Sequence, residues 1–177
     1  MTLDEVNGLP RARFVERFGG VFEHSPWIAE AVWPLRPFAS VDALFRAMQA
    51  AVDAASDDKK LALLRAHPEL AGREASAGTL TVHSTGEQAR LGFLALTRAE
   101  VERMAALNAG YRARFGFPCI VALALHASRE SVMAEMERRL GETPGAELAT
   151  ALEQVGHIAR QRLEKLLTHG QADHARS

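Results

Sequence analysis

The chain reads as an all-α protein, a single compact domain of about eight helices spanning residues 1–170, followed by a polar tail at 171–177. Three observations predict this. Apolar residues recur at helical spacing along nearly the whole length, runs of alternating β-branched residues are missing, and 177 residues suffice for a continuous core without disulfides or a structural metal.

The elements follow in order. A first helix covers Arg11 to Phe18 and stops at Gly19-Gly20; a second opens at Ser25-Pro26, a capping residue followed by a proline at the first helical position, and ends before Pro34. Ser40 caps a third, whose Val41, Leu44, Phe45, Met48, Ala51 and Val52 fall on one face. Asp57 starts a fourth, with Leu61 and Leu64 inward, which expires at His67-Pro68 because the residue before proline is pushed out of the helical region. From Pro68 to His83 the chain is rich in Gly, Ala, Ser and Thr and reads as a compact loop. Ser84 begins a helix through about Leu96. Thr97 caps the next, with Val101, Met104, Leu107, Asn108, Tyr111 and Phe115 as its buried stripe up to Gly116. Ile120 to Leu125 is too short for periodicity to separate strand from helix. Helices at Arg129 to Leu140 and Pro144 to Leu167 complete the chain.

Composition narrows the function classes. Lys and Arg number 21 against 22 Asp and Glu, a formal charge of -1, and no segment gathers the basic residues of a nucleic-acid binder. Cys119 is the single cysteine, so no internal disulfide asks for an oxidising compartment. The start, Met1-Thr2-Leu3-Asp4-Glu5, lacks the basic and apolar regions of a signal peptide; no apolar run reaches membrane-spanning length, and the end is not a Ser-Lys-Leu type address. A soluble cytoplasmic protein that contacts neither nucleic acid nor membrane is the expectation.

The segment His67-Pro68-Glu69-Leu70-Ala71-Gly72, followed by Ser84-Thr85-Gly86-Glu87-Gln88, concentrates the chemistry-bearing residues. It puts an imidazole and a carboxylate at neighbouring loop-to-helix junctions. Read structurally, Ser84 to Glu87 is a capping box, and Thr97-Arg98-Ala99-Glu100 repeats the spacing. Read functionally, Gln88 adds an amide that both donates and accepts, and His67 adds a group that exchanges protons near neutral pH. His67, His83 and Glu87 match no zinc spacing, so no metal is expected. Cys119 has no adjacent base in sequence and reads as a small buried hydrophobe. Arg162 follows Ile158 by one turn of an amphipathic helix, on its inner edge, where an arginine is a candidate anion partner.

Five short motifs in order resemble the 2-oxo-4-hydroxy-4-carboxy-5-ureidoimidazoline (OHCU) decarboxylase family, which acts last in the conversion of urate to allantoin. They are Phe22-Glu23-His24-Ser25-Pro26-Trp27, His67 to Gly72, Ser84-x-x-Glu87-Gln88, Asn108-x-x-Tyr111-x-x-x-Phe115-Gly116-Phe117-Pro118, and Ile158-x-x-x-Arg162-Leu163. The resemblance implies an all-helical enzyme without metal or organic cofactor. It implies His67 as catalytic acid/base, with Pro68, Ser84, Thr85, Gly86, Glu87, Gln88 and the main chain of Cys119, Ile120, Val121, Ala122 and Leu123 around a small ureidoimidazoline substrate. Glu87 would orient His67 or the ureido group, and Arg162 would offset anionic charge. Where this family has a phenylalanine after Phe117-Pro118, the chain has Cys119. A homodimer is expected from the many apolar helical faces and from the resemblance.

Two rivals make different demands. A helical adaptor requires an exposed apolar stripe and no polar pocket around His67. A ureide hydrolase, with His67 and Glu87 activating water, uses the same pocket but releases no carbon dioxide.

Overall fold

The computed structural model describes residues 1–172, with side chains to Thr168, and among them are ten α-helices and no strand. The all-α expectation holds with more helices than expected. They fall into two compact units, Met1–Leu63 with the chain from Ala159 onward, and Leu64–Ile158.

The first unit opens with α1 (Leu3–Gly8), a helix absent from the periodicity because it is barely a turn and a half. Thr2 and Glu5 form a reciprocal capping box that satisfies N–H groups with no partner inside so short a helix. Helix α2 (Arg11–Phe18) has the expected bounds and buries Phe14 against Phe18, ring centroids 4.8 Å apart. Before α3 (Trp27–Val32), Ser25 does not cap: its hydroxyl donates to the Glu23 carbonyl at 3.0 Å, and Pro26 takes the cap position. A 3-10 turn at Trp33–Leu35 then absorbs Pro34. Asn7 bridges forward, donating to the Phe38 carbonyl at 3.0 Å and accepting its N–H at 2.8 Å. Ser40 caps α4 (Val41–Asp53) as expected, accepting from Ala43 N–H, and Leu44, Met48 and Val52 reach the core while their neighbours Val41, Phe45 and Ala51 are half-buried. Within this unit Arg162 meets Glu23 at 2.6 Å, both nearly inaccessible.

Helix α5 (Asp57–Arg65) carries the chain to the second unit. The anticipated loop from Pro68 to His83 is interrupted by α6 (Arg73–Ala77), and α7 (Val82–Arg90) starts two residues before Ser84 and ends well before Leu96. The cap of α7 is Thr81, whose hydroxyl accepts the Ser84 N–H at 3.2 Å, so Ser84 lies inside the helix and the Ser84–Glu87 capping box does not form. The choice among Thr81, Ser84 and Thr85 is one that spacing alone does not make, since each hydroxyl suits an N-terminus. The second capping box does form: Thr97 and Glu100 close the start of α8 (Arg98–Phe115), and Gly116 ends it at a φ of +76°.

Met104, Leu107, Asn108 and Tyr111 of α8 are buried as expected, whereas Val101 is half exposed. The run Cys119 to Ala122 is irregular, in neither helix nor strand, and Leu123–Leu125 is a 3-10 turn. Ser128 caps α9 (Arg129–Arg139), which packs on α8 through Val132, Met133 and Met136, with Arg103 bridging Glu130 and Glu137 at 2.9 Å each. Helix α10 (Pro144–Ala172) runs through Gly170, so Gln171 and Ala172 are helical and not tail; 173–177 of the expected tail lie outside the described residues.

Glu100 yields a pH prediction. The Thr97 N–H and then Arg129 hold its carboxyl at about 2, below the ordinary 4.5. A depressed carboxyl contributes stability present above its unfolded value and lost as pH falls through its folded one. Urea midpoints of the wild type should therefore drop between pH 4.5 and about 2 more steeply than those of Glu100→Gln.

Candidate active site

The site motifs of the second unit are held by polar side chains reaching main-chain groups. Past the end of α5, His67 donates its N–H to the Leu64 carbonyl at 3.2 Å and is buried, 8% exposed. The next turn is tight. Ala71 takes a φ of +48°, which alanine rarely adopts, and a Cβ on Gly72 would sit 2.6 Å from the Glu69 Cβ. The glycine of the His67–Gly72 motif is there because nothing larger fits. Two helices hold this turn: Gln88 of α7 accepts the Ala71 N–H at 2.9 Å, and Asn108 of α8 donates to the Leu70 carbonyl at 2.9 Å. Arg112, one turn after Asn108, pairs with Glu69, its Nε 2.8 Å from the carboxylate. Three motifs distant in sequence thereby meet around His67.

His67 also lines a cavity of about 370 Å³ with Arg65, Glu69, Arg73, Glu74, Arg112, Gly116, Phe117 and Pro118. Three arginines face two glutamates there. Pro68, Ser84 to Gln88 and Cys119 to Leu123 are not among these lining residues. Ser84 and Gln88 are buried, Glu87 is half-buried, and Thr85 and Gly86 are exposed.

The segment Cys119–Leu123 is buried throughout, and its main chain is fixed by side chains from three helices. Arg139 of α9 donates to the Ile120 carbonyl at 2.7 Å, Gln154 of α10 accepts the Ala122 N–H at 2.8 Å, and Arg90 of α7 donates to the Leu123 carbonyl. The Ala122 carbonyl accepts from Leu125 at 2.9 Å. Among the described residues, the N–H groups of Ile120, Val121 and Leu123 and the carbonyls of Cys119 and Val121 have no protein partner. Buried main-chain groups rarely stay so. Arg90 also ties α7, with its Ser84–Gln88 run, directly to this segment.

Behind the segment lies a cluster that the sequence reading missed. Arg139 and Glu147 are wholly enclosed and paired, with Arg139 Nε 2.9 Å from Oε1, and the Tyr111 hydroxyl donates to the same oxygen. Burial opposes the Arg139 charge, yet the Glu147 carboxylate leaves its pKa raised. Burial pushes the Tyr111 phenol up, and the Cys119 thiol up to about 12, so Cys119 is a protonated core residue as expected. The available signal was an arginine closing the apolar stripe Val132, Met133, Met136 with helical phase, and an acid opening the next helix.

Arg162 belongs to the other unit, where Glu23 holds it. The first and last of the five motifs are joined by this pair. Glu23 was also missed, although a carboxylate between Phe22 and an apolar helix signals a buried partner. Among the described residues no group of His, Cys, Asp and Glu is arranged to hold a metal, and no helix is long and apolar enough to cross a membrane.

Comparison with known proteins decides the family. The model of OHCU decarboxylase matches residues 7–164. The chain belongs to the OHCU decarboxylase family. Relatives include the OHCU decarboxylase of Haloferax volcanii, 44% identical over 92% of this chain and 94% of that one, and that of Mus musculus, 41% identical over 94% and 93%. A crystal structure of (S)-allantoin synthase superposes with a TM-score of 0.76 at 34% identity, covering 94% of this chain; the chain spans 54% of that protein's length. A crystal structure of OHCU decarboxylase in the presence of (S)-allantoin, 20% identical, shares the fold with a TM-score of 0.66 over 84% of this chain and 95% of that one.

Gln88 gives the prediction for this site. Gln88→Leu keeps the volume but leaves the Ala71 N–H without its acceptor, which should cost about 1–3 kcal/mol in urea unfolding. Amide exchange at Ala71 should accelerate in the same variant.

Proposed function

We propose that this protein decarboxylates OHCU to (S)-allantoin in urate degradation, with His67 as its acid/base. The observation that carries the reading is the buried His67 on the wall of a charged cavity, inside a family match that runs from residue 7 to residue 164. That wall argues against the helical adaptor, which requires no polar pocket there.

The chemistry asks little beyond placement. The bond from the hydroxyl-bearing ring carbon to its carboxylate breaks, carbon dioxide leaves, and the electron pair moves into the adjacent ring C=N. The substrate is its own electron sink, so no oxidant or carrier is needed. The ring nitrogen that receives the pair takes up one proton from solvent, which leaves a neutral enol; the enol then loses its hydroxyl proton as the neighbouring carbon gains one, so that overall the carboxylate and one proton become carbon dioxide and a C–H bond. An imidazole can both accept and donate a proton, and His67 is assigned the proton at that hydroxyl and its delivery to one face of the neighbouring carbon. Delivery to one face makes the product a single enantiomer.

Glu87 orients His67 or the ureido N–H groups in this proposal, and Pro68, Ser84, Thr85, Gly86 and Gln88 bind substrate with it. Gln88 has its carbonyl engaged by the Ala71 N–H, and its amide N–H₂ is assigned to the ligand in this proposal. The Ile120, Val121 and Leu123 N–H groups and the Cys119 and Val121 carbonyls match the alternating donors and acceptors of a ureide. The Cys119 side chain, replacing the family's phenylalanine, and Ala122 contribute position only. Arg162 offsets anionic charge by resemblance, and the excess of arginine over glutamate around the His67 cavity favours a carboxylate. The homodimer stays part of the proposal; a monomer mass in sedimentation equilibrium would remove it.

The informative assay is chiral, because the substrate also decays unaided. With freshly generated substrate, circular dichroism should show (S)-allantoin accumulating faster than background, with carbon dioxide released in step. Racemic product at the uncatalysed rate sinks the reading, and an optically active product without carbon dioxide favours the hydrolase. His67→Asn should keep the fold and lose about 100-fold or more in rate.

A further inference from the structure

A buried ion pair is an expensive way to fill a core, since replacing it with apolar residues of similar volume is often neutral or stabilising. Arg139 and Glu147 are both fully enclosed, and Glu147 Oε2 has no hydrogen-bond partner. Packing alone does not account for such a pair. What the pair does hold is visible in its geometry. Glu147 engages Nε and Nη2 of the guanidinium through Oε1, to which the Tyr111 hydroxyl also donates, and this leaves Nη1 aimed at the Ile120 carbonyl 2.7 Å away. Two residues on, Gln154 holds the Ala122 N–H at 2.8 Å. Together they pin two consecutive peptide units, 120–121 and 121–122, of a segment that lies in neither helix nor strand.

We infer that Arg139 and Glu147 are positioning residues for the decarboxylation: they clamp the Ile120 carbonyl so that the neighbouring N–H groups of Ile120, Val121 and Leu123 stand ready for the substrate. This rests on the reading of Cys119–Leu123 as substrate-binding main chain. Clamping one carbonyl turns the adjoining peptide planes, so the donors are oriented before substrate arrives and no ordering is left for the binding step. A guanidinium suits the task because its planar fork serves the carboxylate on one edge and a carbonyl on another, which an ammonium does not do with fixed geometry.

Two variants test this. Arg139→Met combined with Glu147→Met removes both charges together, which spares the core an unpaired ion. Arg139→Lys keeps the ion pair but loses the fork. With thermal unfolding and far-ultraviolet circular dichroism as controls on the fold, each should raise KM roughly tenfold or more and leave kcat within about threefold, the signature of lost substrate binding. A folded double variant with wild-type KM overturns the inference. If the double variant does not fold, Arg139→Lys decides on the same readout, and a wild-type KM there overturns it equally. Amide exchange keeps this apart from the functional proposal. Exchange at Ala122, whose N–H is held by Gln154 in the peptide unit next to the clamped one, should quicken in Arg139→Lys while the amides of α8 do not change, and unchanged exchange overturns the clamp even where activity is lost. A wild-type chain that makes no (S)-allantoin overturns the decarboxylase reading and the catalytic purpose of the clamp, and leaves exchange to report whether Arg139 holds the segment.

Discussion

Three helices of the second unit and the loop between α8 and α9 lean on one enclosed pair of charges. Arg139 and Glu147 lie where no water reaches them, and either without the other would be a bare ion in an apolar interior, at a cost of about 3–5 kcal/mol. The pair therefore acts as a single unit with a fixed shape. Through it α9 and α10 are tied to each other, and α8 joins them through Tyr111. The guanidinium arm left over anchors the loop between α8 and α9, beside Gln154 and Arg90.

The first unit solves a similar problem with Glu23 and Arg162. In both units a buried helical arginine is paired with an equally buried acid, 139 residues away in the first unit and eight away in the second. The His67 turn follows a neutral version of the same logic, with the amides of Gln88 and Asn108 closing on main-chain groups from two helices. Side-chain-to-main-chain bonds of this kind let irregular backbone sit inside a helical protein, where unpaired peptide groups are costly.

Legibility in the sequence follows this division. Helices whose signals are local came through: α2 and α4 have the expected starts, Ser40 and Thr97 cap as read, and Met104, Leu107, Asn108 and Tyr111 line the buried side of α8. Competing local signals did not. Thr81 displaced Ser84 as the cap of α7 because three hydroxyl residues lie within five positions, and only the path of the incoming chain selects one. Helices α1 and α6 were too short to show a period. In the candidate site, His67 and the buried Ser84 and Gln88 were legible as motif residues, with Thr85 and Gly86 exposed. Glu23, Arg139, Glu147 and Gln154 were not, because each has a meaning only through a partner that the sequence does not place beside it. Five motifs in order carried the family where no single residue would have.

Cys119 sits at the meeting point of these bonds, buried beside Tyr111 and held protonated by its surroundings, its pKa up at about 12. A thiol in that state is inert toward alkylating reagents and disulfide exchange for as long as the core around it stays closed. As the single cysteine of the chain, it has no background to compete with. Its labelling by a maleimide or a coloured disulfide thus counts the moments at which this core opens, a clock for local unfolding written into the native sequence and needing no introduced probe.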